Sequence, residues 1–259
     1  MKKEENRFID SAVMEGMISF RAVIDGIKSG INTRKIVKVL FDKAKKKNLA
    51  SHLRYIRAMS LEYGFPIEET NADGINALAI GTSHGGLLTV CTDRALPKID
   101  EITEENGFFV MLDGIEDPYN FGYALRSLYA AGVDGIVLPK RNWMTAAGVV
   151  SRASAGASEV LPLYLSDSEE SVVATFHEKG YRIVSADLDN SKPMKDADLS
   201  RPILLAVGGE KRGLSKELLK ASDEIVRIDY GRPFRESLSA ASAASILGFA
   251  VLAQNPTEC

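Results

Sequence analysis

Ile203-Leu204-Leu205-Ala206-Val207-Gly208-Gly209-Glu210-Lys211-Arg212-Gly213-Leu214-Ser215 is the stretch whose reading decides the fold. Five consecutive apolar residues read as a strand buried on both faces. The paired glycines that end it let another backbone or a ligand approach closely. Ser215 is placed to cap a helix, and 224–228 reads as the next strand. Strand, helix, strand implies parallel pairing. Working outward, the same alternation holds from Gly107. Strands are expected at 108–112, 135–138, 160–163 and 182–185, and helices at 121–131, 169–179 (closed by Gly180) and 237–252. The expectation is an α/β domain over 107–259 with a parallel sheet covered on both faces.

Toward the N-terminus the pattern is different. Residues 15–27 have helical periodicity, 36–41 is strand-like, and 51–63 reads as a helix with Ser51 at its start and Gly64 at its end. A short extended piece at 65–67, a small helix over 72–79 and a strand at 87–91 complete an αβα domain over 1–97. Residues 98–106, after Pro97 and without sustained periodicity, read as a linker.

The chain has 259 residues, 45% of them hydrophobic, enough for two domains with a buried core. No stretch has the ~18 apolar residues of a membrane span, and the polar Met1-Lys2-Lys3-Glu4-Glu5 is unlike a signal peptide. Cys91 and Cys259 form neither a disulfide framework nor a metal-binding spacing, so no metal and a reducing cytoplasm are expected. The net charge of −3 is unevenly spread. From Arg21 to Arg57, eleven Lys and Arg face only Asp25 and Asp42, leaving +9 there and −12 on the rest. Such a stretch could track a phosphate backbone, and a solvated helix face would read the same way.

In parallel sheets, ligands bind outside the carboxyl ends of the strands. Three strand exits carry chemistry. The first runs from Asp113 through Asp117-Pro118-Tyr119-Asn120-Phe121-Gly122 to Arg126; Asn120 stands either as a cap or as a polar group at the helix start. The second is the glycine turn. It is not a phosphate loop, because Leu214 stands where the lysine would have to be, and no G-x-G-x-x-G occurs in the chain. The third is Ile228-Asp229-Tyr230 leading to Ser237-Leu238-Ser239-Ala240-Ala241-Ser242-Ala243, whose small residues suit either a tight core or a subunit interface. His52, His84 and His177 are dispersed and read as structural or surface residues.

In this order the three exits resemble the motifs of the SpoU/TrmH branch of the SPOUT RNA methyltransferases. D-P-x-N-x-G-x-x-x-R is similar to 117–126, G-x-E-x-x-G to 208–213, and S-L-N-V-S-x-A to 237–243. Ser151-Arg152-Ala153-Ser154-Ala155-Gly156-Ala157 resembles a further family segment, R-A-S-x-G-A. Glu15-Gly16 and His84-Gly85-Gly86 are similar to parts of the family's substrate-binding domain, which has a ribosomal-protein-like αβα fold. The resemblance implies a C-terminal deep trefoil knot, a rare feature among folds. It also implies a homodimer formed through the knotted domain, with the active site at the subunit interface.

The implied reaction moves a methyl group from S-adenosyl-L-methionine to a ribose 2′-oxygen of structured RNA. Ribosomal RNA is favoured over transfer RNA because minimal transfer-RNA members often lack the N-terminal domain. By position Gly208, Gly209, Ile228 and Leu238 hold the cofactor. Arg126 acts on the acceptor hydroxyl, Asn120 and Glu210 order the site, and Ser237 shapes the acceptor pocket. Two departures bear on activity: Ser239 replaces the family's Asn, and the 228–238 loop is one residue longer. The competing reading is a knotted RNA-binding protein with impaired catalysis.

Overall fold

Buried β-branched and aromatic runs set the strands, and glycine or a capping hydroxyl ends most of the segments between them. A computed structural model describes residues 11–139, 146–233 and 235–256. In chain order the elements begin β1 (Ser11–Glu15), α1 (Gly16–Lys28), β2 (Ile36–Asp42), α2 (Ala50–Tyr63), β3 (Ile67–Thr70), α3 (Ala72–Asn76) and β4 (Leu87–Thr92). There follow β5 (Phe108–Asp113), α4 (Pro118–Ala130), β6 (Gly135–Pro139), α5 (Ala147–Ala153) and α6 (Ala157–Val160). The chain continues with β7 (Leu163–Ser166), α7 (Glu169–Glu178), β8 (Arg182–Ala186), β9 (Lys192–Pro193), β10 (Ile203–Gly208), α8 (Lys216–Ala221), β11 (Glu224–Arg227) and α9 (Ala240–Gln254). Two compact units result, one within Met1–Ala95 and Asn142–Val160, the other within Leu96–Arg141 and Leu161–Cys259.

The first unit is built on a four-stranded sheet of order β1-β4-β2-β3, in which only β2 and β3 are parallel. Side chains alternate across it. Val39 and Phe41 join Phe20, Ile24, Leu53 and Ile56 of α1 and α2, while Leu40 joins Ile75 of α3. The expected αβα layering is present, with β1 added. Ser51 does not cap α2: the helix starts at Ala50, with Leu49 at the cap position and no side-chain bond there.

This unit also contains α5 and α6, which the sequence pattern assigns to the C-terminal domain. Small residues explain the packing. A Cβ on Gly148 would lie 2.0 Å from the Val13 carbonyl oxygen, and one on Gly156 would lie 2.5 Å from the Ala22 Cβ, so only glycine permits these approaches. Charge then fastens them. Glu159, 2% exposed, accepts from Arg34 Nε at 2.9 Å and from Asn32 Nδ2 at 2.7 Å. Glu15, also buried, accepts from Arg152 at 2.7 Å and from the amides of Ile80 and Gly81. The two family-like stretches Glu15-Gly16 and Ser151–Ala157 therefore meet inside one unit. Arg34 is buried in this cluster and does not belong to the basic surface suggested by the charge count.

A buried pair broken on one side leaves an uncompensated charge. Glu159→Ala is therefore expected to cost about 3–5 kcal/mol, whereas the double replacement Arg34→Met/Glu159→Leu should cost far less. Urea unfolding midpoints followed by circular dichroism check both.

The second unit holds a seven-stranded sheet of order β7-β6-β5-β10-β8-β11-β9, parallel at every pairing. One face packs Phe109, Met111, Ile183 and Leu204 against Val172, Phe176 and Leu218 of α7 and α8. Phe109 makes edge-on contacts with Tyr164, Phe176 and Tyr181 at centroid distances of 5.6–6.0 Å. The expected linker at 98–106 is an ordered part of this unit: Ile99 and Ile102 are buried in the same core, and the Leu165 amide donates to the Pro97 carbonyl. α4 and α9 pack against each other, and Gly248 admits the Leu128 side chain. No helix of the described residues is long and apolar enough to cross a membrane.

Candidate active site

Parallel pairing of β5 with β10 sets Val207 opposite Leu112 and Gly208 opposite Asp113, so the first two strand exits leave the sheet side by side. The glycine turn closes on itself, with the Gly213 amide donating to the Gly209 carbonyl at 3.0 Å. A Cβ on Gly208 would lie 2.4 Å from the Gly213 carbonyl carbon. One on Gly209 would lie 2.1 Å from the Gly114 carbonyl oxygen. Both glycines are thus required by close backbone contact.

Glu210 joins all three motifs. Its Oε1 accepts from Asn120 Nδ2 at 3.1 Å and from the Ala240 amide at 3.1 Å. Asn120 is free for this because Asp117 caps α4, accepting from the amides of Tyr119 and Asn120 with Pro118 in the first turn. Ser239 caps α9 and accepts from the Ser242 amide at 3.2 Å. The helix expected from Ser237 therefore begins three residues later, and Ser237 and Leu238 stay outside it.

These elements line an open cavity of about 330 Å³. Gly208, Gly209, Glu210, Ile228, Ser237 and Leu238 line it, so six of the eight residues expected from sequence share one wall system. Asn120 reaches it through Glu210. Arg126 does not line it: it is exposed on α4 and makes no hydrogen bond or ion pair among the described residues. Sequence reading missed Asp187, Leu188 and Asp189, which come directly after β8 and also line the cavity. They stand at the carboxyl end of a parallel strand, and the rule that found the other exits would have found them too. Tyr230 was also overlooked as a positioning group; its hydroxyl accepts from the Leu238 amide at 3.2 Å.

Elsewhere, His84 is buried and its Nδ1 accepts from the Gly86 amide at 3.0 Å, a structural role in the first unit. His177 pairs with Asp223 at the surface at 3.1 Å. Burial pushes the Cys91 thiol up to about 12, so it stays protonated at neutral pH. Among the described residues no group of three or more His, Cys, Asp or Glu is arranged to hold a metal ion. Lys43, Lys45, Lys46, Lys47, Arg54 and Arg57 are exposed on the turn after β2 and on α2.

The family model described as SpoU rRNA Methylase matches residues 107–249. Among curated proteins, the chain is 32% identical over 171 residues to the 23S rRNA (guanosine-2′-O-)-methyltransferase RlmB of Shewanella oneidensis, covering 64% of this chain and 70% of that protein. Its fold is similar to that of an AdoMet-bound rRNA methyltransferase from Sinorhizobium meliloti (TM-score 0.80, 23% identity, 96% of this chain and 89% of that one). It is also similar to that of the SpoU methyltransferase AviRb from Streptomyces viridochromogenes (TM-score 0.79, 20% identity, 99% and 96%). With the glycine turn, the Glu210 bridge and the helix starts meeting at one cavity inside the matched region, the chain belongs to the SpoU rRNA methylase family, the SpoU/TrmH group of RNA methyltransferases.

Proposed function

We propose that this protein methylates a ribose 2′-oxygen of structured RNA with S-adenosyl-L-methionine as donor, and that ribosomal RNA is its substrate in preference to transfer RNA. The observation that carries the reading is the Glu210 bridge, which fixes the starts of α4 and α9 at the rim of the glycine-turn cavity.

The cavity fits the cofactor. Its volume is at the lower end of small-molecule sites. Val207, Val226, Leu238 and Leu247 supply apolar wall, and Gly208 and Gly209 line it with backbone alone. When bound, S-adenosylmethionine supplies a methyl group already activated by its sulfonium, which leaves alignment to the protein. Ile228 and Leu238 hold the far wall, Asn120 and Glu210 keep the helix starts in register, and Ser237 borders the acceptor side. The Arg126 guanidinium binds the phosphate beside the target ribose and lowers the effective pKa of its 2′-hydroxyl.

Homodimerisation belongs to the same proposal. α9 is apolar around its whole circumference, a composition that belongs to buried helices, yet Phe249 is 46% exposed and Ile246 37%. Tyr119 and Tyr123 of the adjoining α4 are exposed too. A second copy packed on this face puts Arg126, on the same helix, at a subunit interface. The trefoil knot is part of the proposal and is supported by the strand order, in which β8 lies between β10 and β11. The exposed cations after β2 and on α2 suit phosphate contact with folded RNA. A reducing cytoplasm is the proposed compartment and accords with the free, buried Cys91 thiol.

A second reading, a knotted RNA-binding protein with impaired turnover, draws on Ser239, whose hydroxyl is occupied in capping α9. Mapping 2′-O-methyl groups in RNA from a strain lacking the gene separates the two. One missing ribosomal site restored by the wild-type gene supports the enzyme. An unchanged map with retained RNA binding supports the alternative.

A further inference from the structure

Asp187 is the first residue after β8, and β8 lies between β10, which carries the glycine turn, and β11, which leads to Ile228. Its amide donates to the Val226 carbonyl at 3.0 Å, which fixes the backbone there. Asp187 thus stands between the two backbone stretches assigned to the cofactor and lines the same cavity. We propose that the Asp187 carboxylate accepts hydrogen bonds from the ribose hydroxyls of the cofactor's adenosine; this rests on the cofactor reading above.

Three other polar residues on the wall already hold partners, and Ser237 is exposed. Glu210 Oε1 serves Asn120 and Ala240. Tyr230 receives the Leu238 amide. Arg227 donates from Nε to Asp229 at 3.0 Å and from its terminal nitrogen to the Ser191 carbonyl. Asp189 is exposed, whereas Asp187 is half-buried. Asp187 Oδ1 accepts the Asp189 amide at 2.9 Å, which orients the carboxylate, and its second oxygen takes no hydrogen bond among the described residues.

Nucleoside chemistry supplies the match. A purine suits the apolar wall, and the sugar beside it must give up water from two hydroxyl donors on entering. A carboxylate accepts from both, and an acid at the end of a parallel strand beside a glycine turn is a recurrent partner for ribose. The cofactor's ammonium group is the alternative donor to a carboxylate, and methylthioadenosine, which lacks it, separates the two.

Calorimetry on the full chain tests this with three probes: S-adenosylhomocysteine, 5′-methylthioadenosine and the 2′,3′-dideoxy form of the latter. Asp187→Ala should weaken the first two about 10- to 100-fold, the range for a hydrogen bond to a charged group. It should change the dideoxy compound by about threefold or less, because the partner hydroxyls are gone. Asp187→Asn keeps the side-chain shape and one acceptor, so an intermediate loss from a protein with wild-type melting supports the assignment even if the alanine variant misfolds. Equal losses for methylthioadenosine and its dideoxy form would overturn it. So would a loss confined to S-adenosylhomocysteine, which would assign Asp187 to the ammonium group. If the wild-type chain binds none of the three, the cofactor reading itself fails, and this assignment with it.

Discussion

Gly209→Val will abolish S-adenosylmethionine binding and lower the melting temperature by about 6–12 °C, taking about 3 kcal/mol of overpacking and about 2–4 °C per kcal/mol for a chain of this size. The cause is backbone meeting backbone. The first added carbon would lie 2.1 Å from the Gly114 carbonyl oxygen and 2.4 Å from its carbon, so no rotamer relieves the contact. Relief requires β5 and β10 to part at their carboxyl ends, and that movement would displace Glu210 from Asn120 and Ala240. Gly231→Ala is the control: a Cβ there meets nothing within 4 Å, and wild-type melting and binding are expected. Calorimetric titration and differential scanning calorimetry read both quantities. Wild-type affinity in the valine variant would show that the turn is not where the cofactor binds.

Arg126→Ala will lower the rate of RNA methylation by about 10²- to 10⁴-fold, the range for one positioned group acting on a proton or a developing oxyanion. Cofactor affinity will stay at the wild-type value, because Arg126 does not line the cavity. Little stability should be lost either, since the side chain is exposed and makes no hydrogen bond among the described residues. Arg126→Lys should recover only part of the rate, because a point charge does not reproduce the guanidinium fork on a phosphate. Single-turnover assays with labelled methyl donor and target RNA measure the chemical step. An alanine variant with undiminished turnover would assign the acceptor chemistry to another residue.

Much of the site is legible in the sequence. Gly208, Gly209, Glu210, Ile228, Ser237 and Leu238 line one cavity, as their positions after successive strands suggest. Asp187 escapes a motif-based reading because Asp187-Leu188-Asp189 carries no glycine turn and no helix start, and so looks like an ordinary polar loop after the 182–185 strand. The first turn of α4 is ambiguous because Asp117 and Asn120 are both good caps, and only the fold shows that Asp117 takes the role and releases Asn120 to Glu210. The unit boundaries are misplaced for a similar reason. Gly148, Gly156 and Glu159 look like ordinary members of an α/β repeat until Val13, Ala22 and Arg34 are set beside them.

By itself the sequence determined the parallel sheet, the order of its strand exits and the family, because hydrophobic period and turn chemistry act over a few residues and survive in a one-dimensional record. The tertiary structure alone decided that Glu210 bridges residues 90 positions before it and 30 after it. It alone decided that Arg34 is spent in a buried ion pair instead of facing RNA, and that Arg126 stands off the cavity wall. Those are long-range choices among chemically equivalent partners, and only packing in three dimensions makes them.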